Sequence, residues 1–233
     1  MAEKIIEIYR EELDYRANES YKALRTNIEF CGDDVRVISL TSCTPNEGKT
    51  SISFNIAKSF VENGKRVALI DADIRKSVLI GRYRVGGVEC GLTHYLSGKN
   101  KLEDVIYRTN INNLDIIFCG SHSPNPAELL NHDRFEDMIG ALREEYDYVI
   151  IDTPPLGSVI DSAIVARAVD GVIIVIESNA ISYKFAQSVK DQLERANCRI
   201  LGVVINKIPM DKKRKYGKYY GKYYGGYYGA YGE

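Results

Sequence analysis

The sequence is short of long apolar runs, paired cysteines and net charge, and each shortage excludes a class of protein. Its longest apolar stretches, such as Val172–Ile176, are strand-sized. A membrane-spanning helix needs roughly 20 apolar residues. Glu3, Lys4 and Glu7 lie where a signal peptide would carry its apolar core, so no secretory leader is predicted. The five cysteines (Cys31, Cys43, Cys90, Cys119 and Cys198) show neither C-x-x-C pairing nor metal-ligand spacing, a usage that suits a reducing cytosol. The formal net charge of −1 argues against bulk nucleic-acid binding by the whole chain. Membrane association would therefore come through a partner or a local basic segment.

What is present begins with length. A chain of 233 residues, 45% hydrophobic and 27% charged, suffices for one large α/β domain. Six apolar runs read as strands, at 37–40, 67–70, 114–118, 148–151, 171–176 and 200–205. Four of them, all but the first and third, are nearly continuous, as strands buried on both faces of a parallel sheet should be. Helix-length segments fall between them at 49–63, 126–145, 160–168 and 181–196. This alternation predicts a doubly wound, mostly parallel α/β sheet with ligands at the carboxyl ends of its strands. Three divisions follow. Residues 1–30 form a charged N-terminal segment with one or two helices over 3–30, and 31–210 hold the sheet. Residues 211–233 form a low-complexity tail expected to be disordered in isolation.

The first strand leads into Ser42–Ser51, a loop ending Gly48-Lys49-Thr50-Ser51. This is the Walker A pattern with Cys43 in place of its first glycine. Backbone at Asn46, Glu47 and Gly48 would cradle phosphates and the following helix would present its N-terminal N–H groups. Lys49 would reach the β- and γ-phosphates, and Thr50, followed by Ser51, would offer a hydroxyl to Mg²⁺. The second strand ends in Asp71 and Asp73, two carboxylates on one face, followed by Arg75. The run at 148–151 ends in Asp152, the Walker B position, suited to holding Mg²⁺ directly or through water. Asn206 closes the last run and either reads the nucleotide base or ends the strand in a simple turn. These parts make an ATP site with Mg²⁺, but the phosphoryl acceptor stays open between a protein and water.

The chain resembles the bacterial tyrosine kinases of capsule and exopolysaccharide synthesis over nearly its whole length. The resemblance rests on the Walker A loop, the acidic motif at 67–75, Walker B at 149–155, the segments 91–98 and 124–130, and a terminal tyrosine cluster. It implies a P-loop fold like that of the partitioning and septum-positioning ATPases, with Lys49 and Thr50 on phosphate and metal and Asp73 and Asp152 as metal-linked carboxylates. Asp71 would be the base for the tyrosine proton, and Arg75 would face the phosphates or pair with an acid. The family's ring-forming E-x-x-R-x-x-R motif corresponds to Glu19, Lys22 and Arg25, where Lys22 lacks the arginine fork. Without a predicted membrane span, the chain looks like the form that is cytoplasmic and recruited to the plasma membrane by a separate membrane-bound activator of the polysaccharide co-polymerase type. A cognate tyrosine phosphatase would be its second partner.

The tail then acquires a purpose. Tyr216, Tyr219, Tyr220, Tyr223, Tyr224, Tyr227, Tyr228 and Tyr231 recur with glycine and lysine between them. They would serve as interchangeable phosphoacceptors on a long tether, and the resemblance favours transfer between subunits. Two other readings compete. A switch ATPase of the partitioning class would carry an additional lysine near the loop's start, where this chain has Ser42, Cys43 and Thr44. A binding module with a lysine- and tyrosine-rich tail would not need the full catalytic set.

Overall fold

The computed structural model describes residues 5–9 and 12–209. In chain order the elements are α1 (Tyr15–Glu29), β1 (Val37–Ser42), α2 (Lys49–Glu62), β2 (Val67–Asp71), α3 (Leu79–Arg82) and α4 (Leu92–Leu96). Then come β3 (Ile106–Arg108), β4 (Leu114–Ile117), α5 (Pro126–Leu130), α6 (Asp133–Glu145), β5 (Tyr148–Asp152) and α7 (Asp161–Val165). The chain closes with β6 (Gly171–Glu177), α8 (Tyr183–Arg195) and β7 (Ile200–Asn206).

Seven strands form one sheet in the order β3-β4-β2-β5-β1-β6-β7, parallel except for β3. Every position of β1 and β2 is buried, which is why β2 runs apolar up to Asp71, while β1 buries Ser39, Thr41 and Ser42 among its apolar residues. One apolar layer, with Phe54, Ile56 and Phe60 of α2, covers one face; Phe135, Met138 and Leu142 of α6 belong to the layer on the other. Chain order reverses about β1, so the carboxyl ends of β1, β2 and β5 open side by side. That crevice is where such sheets take ligands.

Two helix ends have local causes. Asp14 Oδ1 accepts from the Ala17 amide at 2.7 Å to start α1, and Ser182 Oγ accepts from Phe185 to start α8. The segment expected as helix at 126–145 is instead two helices. His132 caps the second one, accepting the Arg134 amide at its Nδ1. At 160–168 a short helix runs into a 3-10 turn, Ala166–Ala168.

The expectation of helix from residue 3 is corrected at its first part. Ile6 and Ile8 are buried while Ile5, Glu7 and Tyr9 face out, an alternation of period two. The Ile6 amide donates to Arg108 O and its carbonyl accepts from Asn110, so this segment lies along β3 as an extended strip. Among the described residues, helix begins at Tyr15. β3 itself, three residues long, was too short to leave a periodic signal. The tail from 211 lies outside the described residues. No helix among the described residues is long and apolar enough to cross a membrane.

Candidate active site

The phosphate loop obtains its shape from two left-handed residues, Asn46 (φ 68°) and Gly48 (φ 93°). Neither falls at Cys43, so the departure from the Walker glycine costs the backbone nothing there. The positive φ of Gly48 favours glycine, and a Cβ there would also displace the Asn206 amide, at 2.1 Å from its Nδ2. Gly48 also gives α2 an N-terminus without a side-chain cap, leaving the first-turn N–H groups for an anion.

Three contacts pin this loop to the ends of β6 and β7. Glu47 is buried and its carboxylate accepts from the Thr44 amide at 2.7 Å and the Glu177 amide at 3.2 Å. Asn206 Nδ2 donates to Glu47 O at 2.8 Å. Lys207 Nζ donates to Asn46 O and pairs with Glu177 at 2.8 Å. Asn206 therefore neither stands free at the strand end nor closes a simple turn. It braces the loop.

A glycine that sequence reasoning missed supports the loop from below. A Cβ on Gly157 would lie 2.1 Å from Cys43 O and 2.7 Å from Phe185 Cζ. Gly157→Ala is expected to displace the loop and weaken ATP binding at least about tenfold, since a small misplacement is costly at a positioned site. Titration with a fluorescent ATP analogue checks this. Affinity within twofold of the parent would show that the loop tolerates the shift. Burial, then the Glu47 charge, pushes the Cys43 thiol up to about 12, which makes it inert as a nucleophile.

Lys49 lies behind the loop with its ammonium 2.9 Å from Asp152 Oδ1, 3.5 Å from Thr50 Oγ1 and 3.9 Å from Asp73 Oδ2. Ser53, one turn along α2, donates to the same Asp152 oxygen at 3.1 Å. Asp71 and Asp152 are paired in register on β2 and β5, so two carboxylates sit side by side on adjacent strands. Asp71 is completely buried. Burial, reinforced by the Asp152 charge, pushes its carboxyl up to about 7 against the pull of Ser77 and Lys49. Burial also raises Asp73, opposed chiefly by Lys49.

Three carboxylates around one ammonium form a donor set short of positive charge, which suits a divalent cation. Among the described residues no three His, Cys, Asp or Glu side chains form an all-protein metal cage. Mg²⁺ does not require one, since it is usually held by one or two carboxylates, waters and substrate phosphates. Thr50, Asp73 and Asp152 fit that role. Ser51 follows on the first turn of α2, where its backbone joins the anion-facing turn.

Arg75 departs from the crevice. Its guanidinium makes a bidentate pair with the fully buried Asp161, at 2.7 and 2.9 Å. This ties the loop after β2 to the start of α7, the acid-pairing alternative left open by the sequence. Asp161 had no sequence signal, because nothing in spacing marks the partner of an arginine 86 residues away. Glu19 and Lys22 form an exposed pair at 2.8 Å on α1. Arg25 instead turns inward, donating to Ser59 O of α2 at 2.7 Å. The eight tail tyrosines lie outside the described residues.

The fold that holds this site agrees with the comparisons. A family described as AAA domain matches residues 35–200. The tyrosine-protein kinase CpsD of Streptococcus pneumoniae is 44% identical over 218 residues, covering 92% of this chain and 96% of that protein. The chain belongs to the bacterial tyrosine kinases of capsule synthesis. The kinase domain of Escherichia coli tyrosine kinase ETK superposes with a TM-score of 0.76 at 32% identity, covering 86% of this chain and 80% of that one. A septum site-determining protein MinD from Pyrococcus horikoshii, complexed with Mg-ADP, gives 0.65 at 25% identity, covering 76% and 72%. The kinase thus shares the ATP-binding P-loop fold of the septum-positioning ATPases but lies nearer the tyrosine kinases. Its activity is protein-tyrosine phosphorylation.

Proposed function

We propose that this kinase transfers the γ-phosphoryl group of ATP to its own C-terminal tyrosine cluster, largely between subunits, and thereby regulates polysaccharide synthesis and export. One observation carries the reading. β7 ends at Asn206, whose side chain touches the phosphate loop, so the chain leaves the sheet beside the nucleotide site. Tyr216 follows ten residues later (216 − 206 = 10), within roughly 33 Å when extended at about 3.3 Å per residue. The kinase's own crevice falls within such a reach, and in a ring of copies the same tether would be offered to the next crevice.

In this reading the backbone of Asn46–Gly48 and the first turn of α2 hold the β- and γ-phosphates. Lys49 exchanges Asp152 for phosphate oxygens. Thr50, Asp73 and Asp152 would hold Mg²⁺, which when bound neutralises charge on the transferring group. Asp71 accepts the phenolic proton. A phenol with an ordinary pKa near 10 is neutral at pH 7, so attack on phosphorus requires an acceptor for that proton. Arg75 acts through Asp161, fixing the loop that carries Asp73. Asn206 braces Glu47 at the nucleotide's edge.

Glu19 and Lys22, exposed on α1, are available to a neighbouring subunit, while Arg25 in this conformation serves α2. A ring of copies would bring each tail to the next crevice, and tethering gives an effective concentration on the order of millimolar. A membrane-bound activator would recruit the ring to the inner face of the membrane, and a cognate phosphatase would reset it. Each phosphate adds nearly two negative charges to a lysine-bearing segment and would repel Asp71, Asp73 and Asp152 once nucleotide had left.

Mixing tests the direction of transfer. A Lys49→Met chain with an intact tail is combined with an active chain whose eight tail tyrosines are Phe. Phosphotyrosine should appear on the inactive chain at a rate rising with protein concentration. No label there, while wild type modifies itself at a concentration-independent rate, would place transfer within one chain.

A further inference from the structure

The catalytic crevice opens at the carboxyl ends of the strands. At the opposite ends of β2 and β4 lies a cavity of about 560 Å³, within the size range of small-molecule sites. Arg66, Arg108 and Asp115 border it, together with Asn112, Asn113 and the apolar side chain of Ile111. An adjoining cavity of about 370 Å³ shares the two arginines and Asp115 and adds Glu103 and Glu145. Arg66 immediately precedes β2, whose 5 residues end at Asp71. At about 3.3 Å per residue, roughly 16 Å of strand separates Arg66 from the nucleotide site.

Some polar groups of this cavity have unused bonding capacity. The Arg66 guanidinium lies over the Tyr146 ring, 4.6 Å from its centroid, and Nη1 donates to Glu145 O at 3.3 Å. Its Nη2 stands 3.7 Å from both Asp115 Oδ2 and Glu145 Oε2, too far to hydrogen-bond either. Asp115 is buried, and its Oδ2 accepts the Tyr146 hydroxyl at 2.7 Å. Burial, then this hydrogen bond, pushes the Tyr146 phenol above its usual range, so Oδ2 stays taken at neutral pH. Asp115 Oδ1 has no hydrogen-bond partner among the described residues.

The lining also narrows the class of ligand. Two guanidiniums face the carboxylates of Asp115, Glu103 and Glu145, so neither a polyanion nor a cation meets a field of one sign. A donor at Arg66 beside an acceptor at Asp115 suits a group that can both accept and donate, which is what a hydroxyl does. The amides of Asn112 and Asn113 offer both functions again, and Ile111 gives C–H groups an apolar side. We propose that this cavity is a carbohydrate site for a neutral hexose unit, whose neighbouring hydroxyls accept from Arg66 Nη2 and donate to Asp115 Oδ1. The site is separate from the nucleotide crevice, so sugar and ATP bind independently.

Saturation-transfer NMR on the full chain, with glucose, galactose and maltotriose as probes, tests this. At least one should bind saturably with a Kd on the order of 1 mM, as expected for a ligand of this size. Asp115→Asn keeps an acceptor for Tyr146 but replaces the other oxygen with a donor, and should weaken binding at least about tenfold. Arg66→Lys keeps the charge at a half-exposed position but loses the fork, and should weaken it similarly. Saturating Mg²⁺ with a non-hydrolysable ATP analogue should leave the Kd within twofold. Maltotriose binding more tightly than glucose would assign the site to the end of a saccharide chain, and the reverse to a free sugar; both uphold the class. No saturable binding by any probe, or binding unmoved in both variants, would overturn the proposal. Loss of binding with the ATP analogue would also overturn it, by placing the sugar in the crevice.

Discussion

A Lys49→Met variant is expected to lose tyrosine phosphorylation by at least about 10³-fold, because the charge on the transferring phosphoryl group loses its fixed counterion at a site that works by electrostatic positioning. The structure adds a second consequence. The Lys49 ammonium lies 2.9 Å from Asp152, and both side chains are almost wholly buried. Removing one partner of such a pair leaves an uncompensated charge, at a cost of about 3–5 kcal/mol. Nucleotide-free Lys49→Met should therefore unfold at markedly lower urea concentration than wild type, with an unchanged m-value. Lys49→Met combined with Asp152→Asn should recover most of that stability without recovering activity. A fully active, folded Lys49→Met chain would remove Lys49 from the site. An unchanged urea midpoint would show that Asp152 finds another partner.

Asp71→Asn should separate stability from activity in the opposite sense. The Asp71 carboxyl is pushed from an ordinary value of 3.8 up to about 7, first by burial and then by the Asp152 charge. A group with a raised folded pKa holds its proton more tightly when folded, so stability declines as pH rises from the unfolded value through the folded one. Above pH 7 the buried carboxylate is charged, at a cost of up to about 4 kcal/mol for roughly three units at 1.36 kcal/mol each. Asparagine removes that charge. Nucleotide-free Asp71→Asn should thus be more stable than wild type at pH 8, with the gain shrinking as the pH falls toward 4. Its phosphotyrosine formation should drop about 100-fold or more. Urea titrations at pH 5 and pH 8 supply the measurement. A variant equally destabilised at both values would mean that Asp71 accepts hydrogen bonds as an ordinary ionised carboxylate.

The two variants share a physical origin. Three carboxylates and one ammonium held at the ends of β1, β2 and β5 are arranged for a highly charged ligand, and without one the site stores repulsion. Stability sacrificed at a site of this kind is expected where groups must be poised for chemistry rather than for folding.

How much of this could be read before folding depends on the range of the interaction concerned. The apolar runs that became β2, β5 and β6 were legible because burial on both faces leaves a continuous local signature, whereas β7, read the same way from 200–205, is a sheet edge with Val203 and Ile205 exposed. Gly48-Lys49-Thr50 and the carboxylates at strand ends were legible because a phosphate loop uses neighbouring residues in fixed order. The strip at residues 5–9 was read as helix because its period-two burial comes from β3, about a hundred residues away. β3 in turn was missed because three residues carry no period. Only the tertiary structure decided that Arg75 turns to Asp161, that Arg25 serves α2, that Gly157 lies under Cys43 and that Asp71 is wholly buried. Each of these depends on a partner that sequence spacing does not mark, brought into contact by the order of strands in the sheet. The sequence by itself determined the chemistry available at each strand end. The packing of those ends decided which groups touch, because only there do burial and neighbouring charge act on them together.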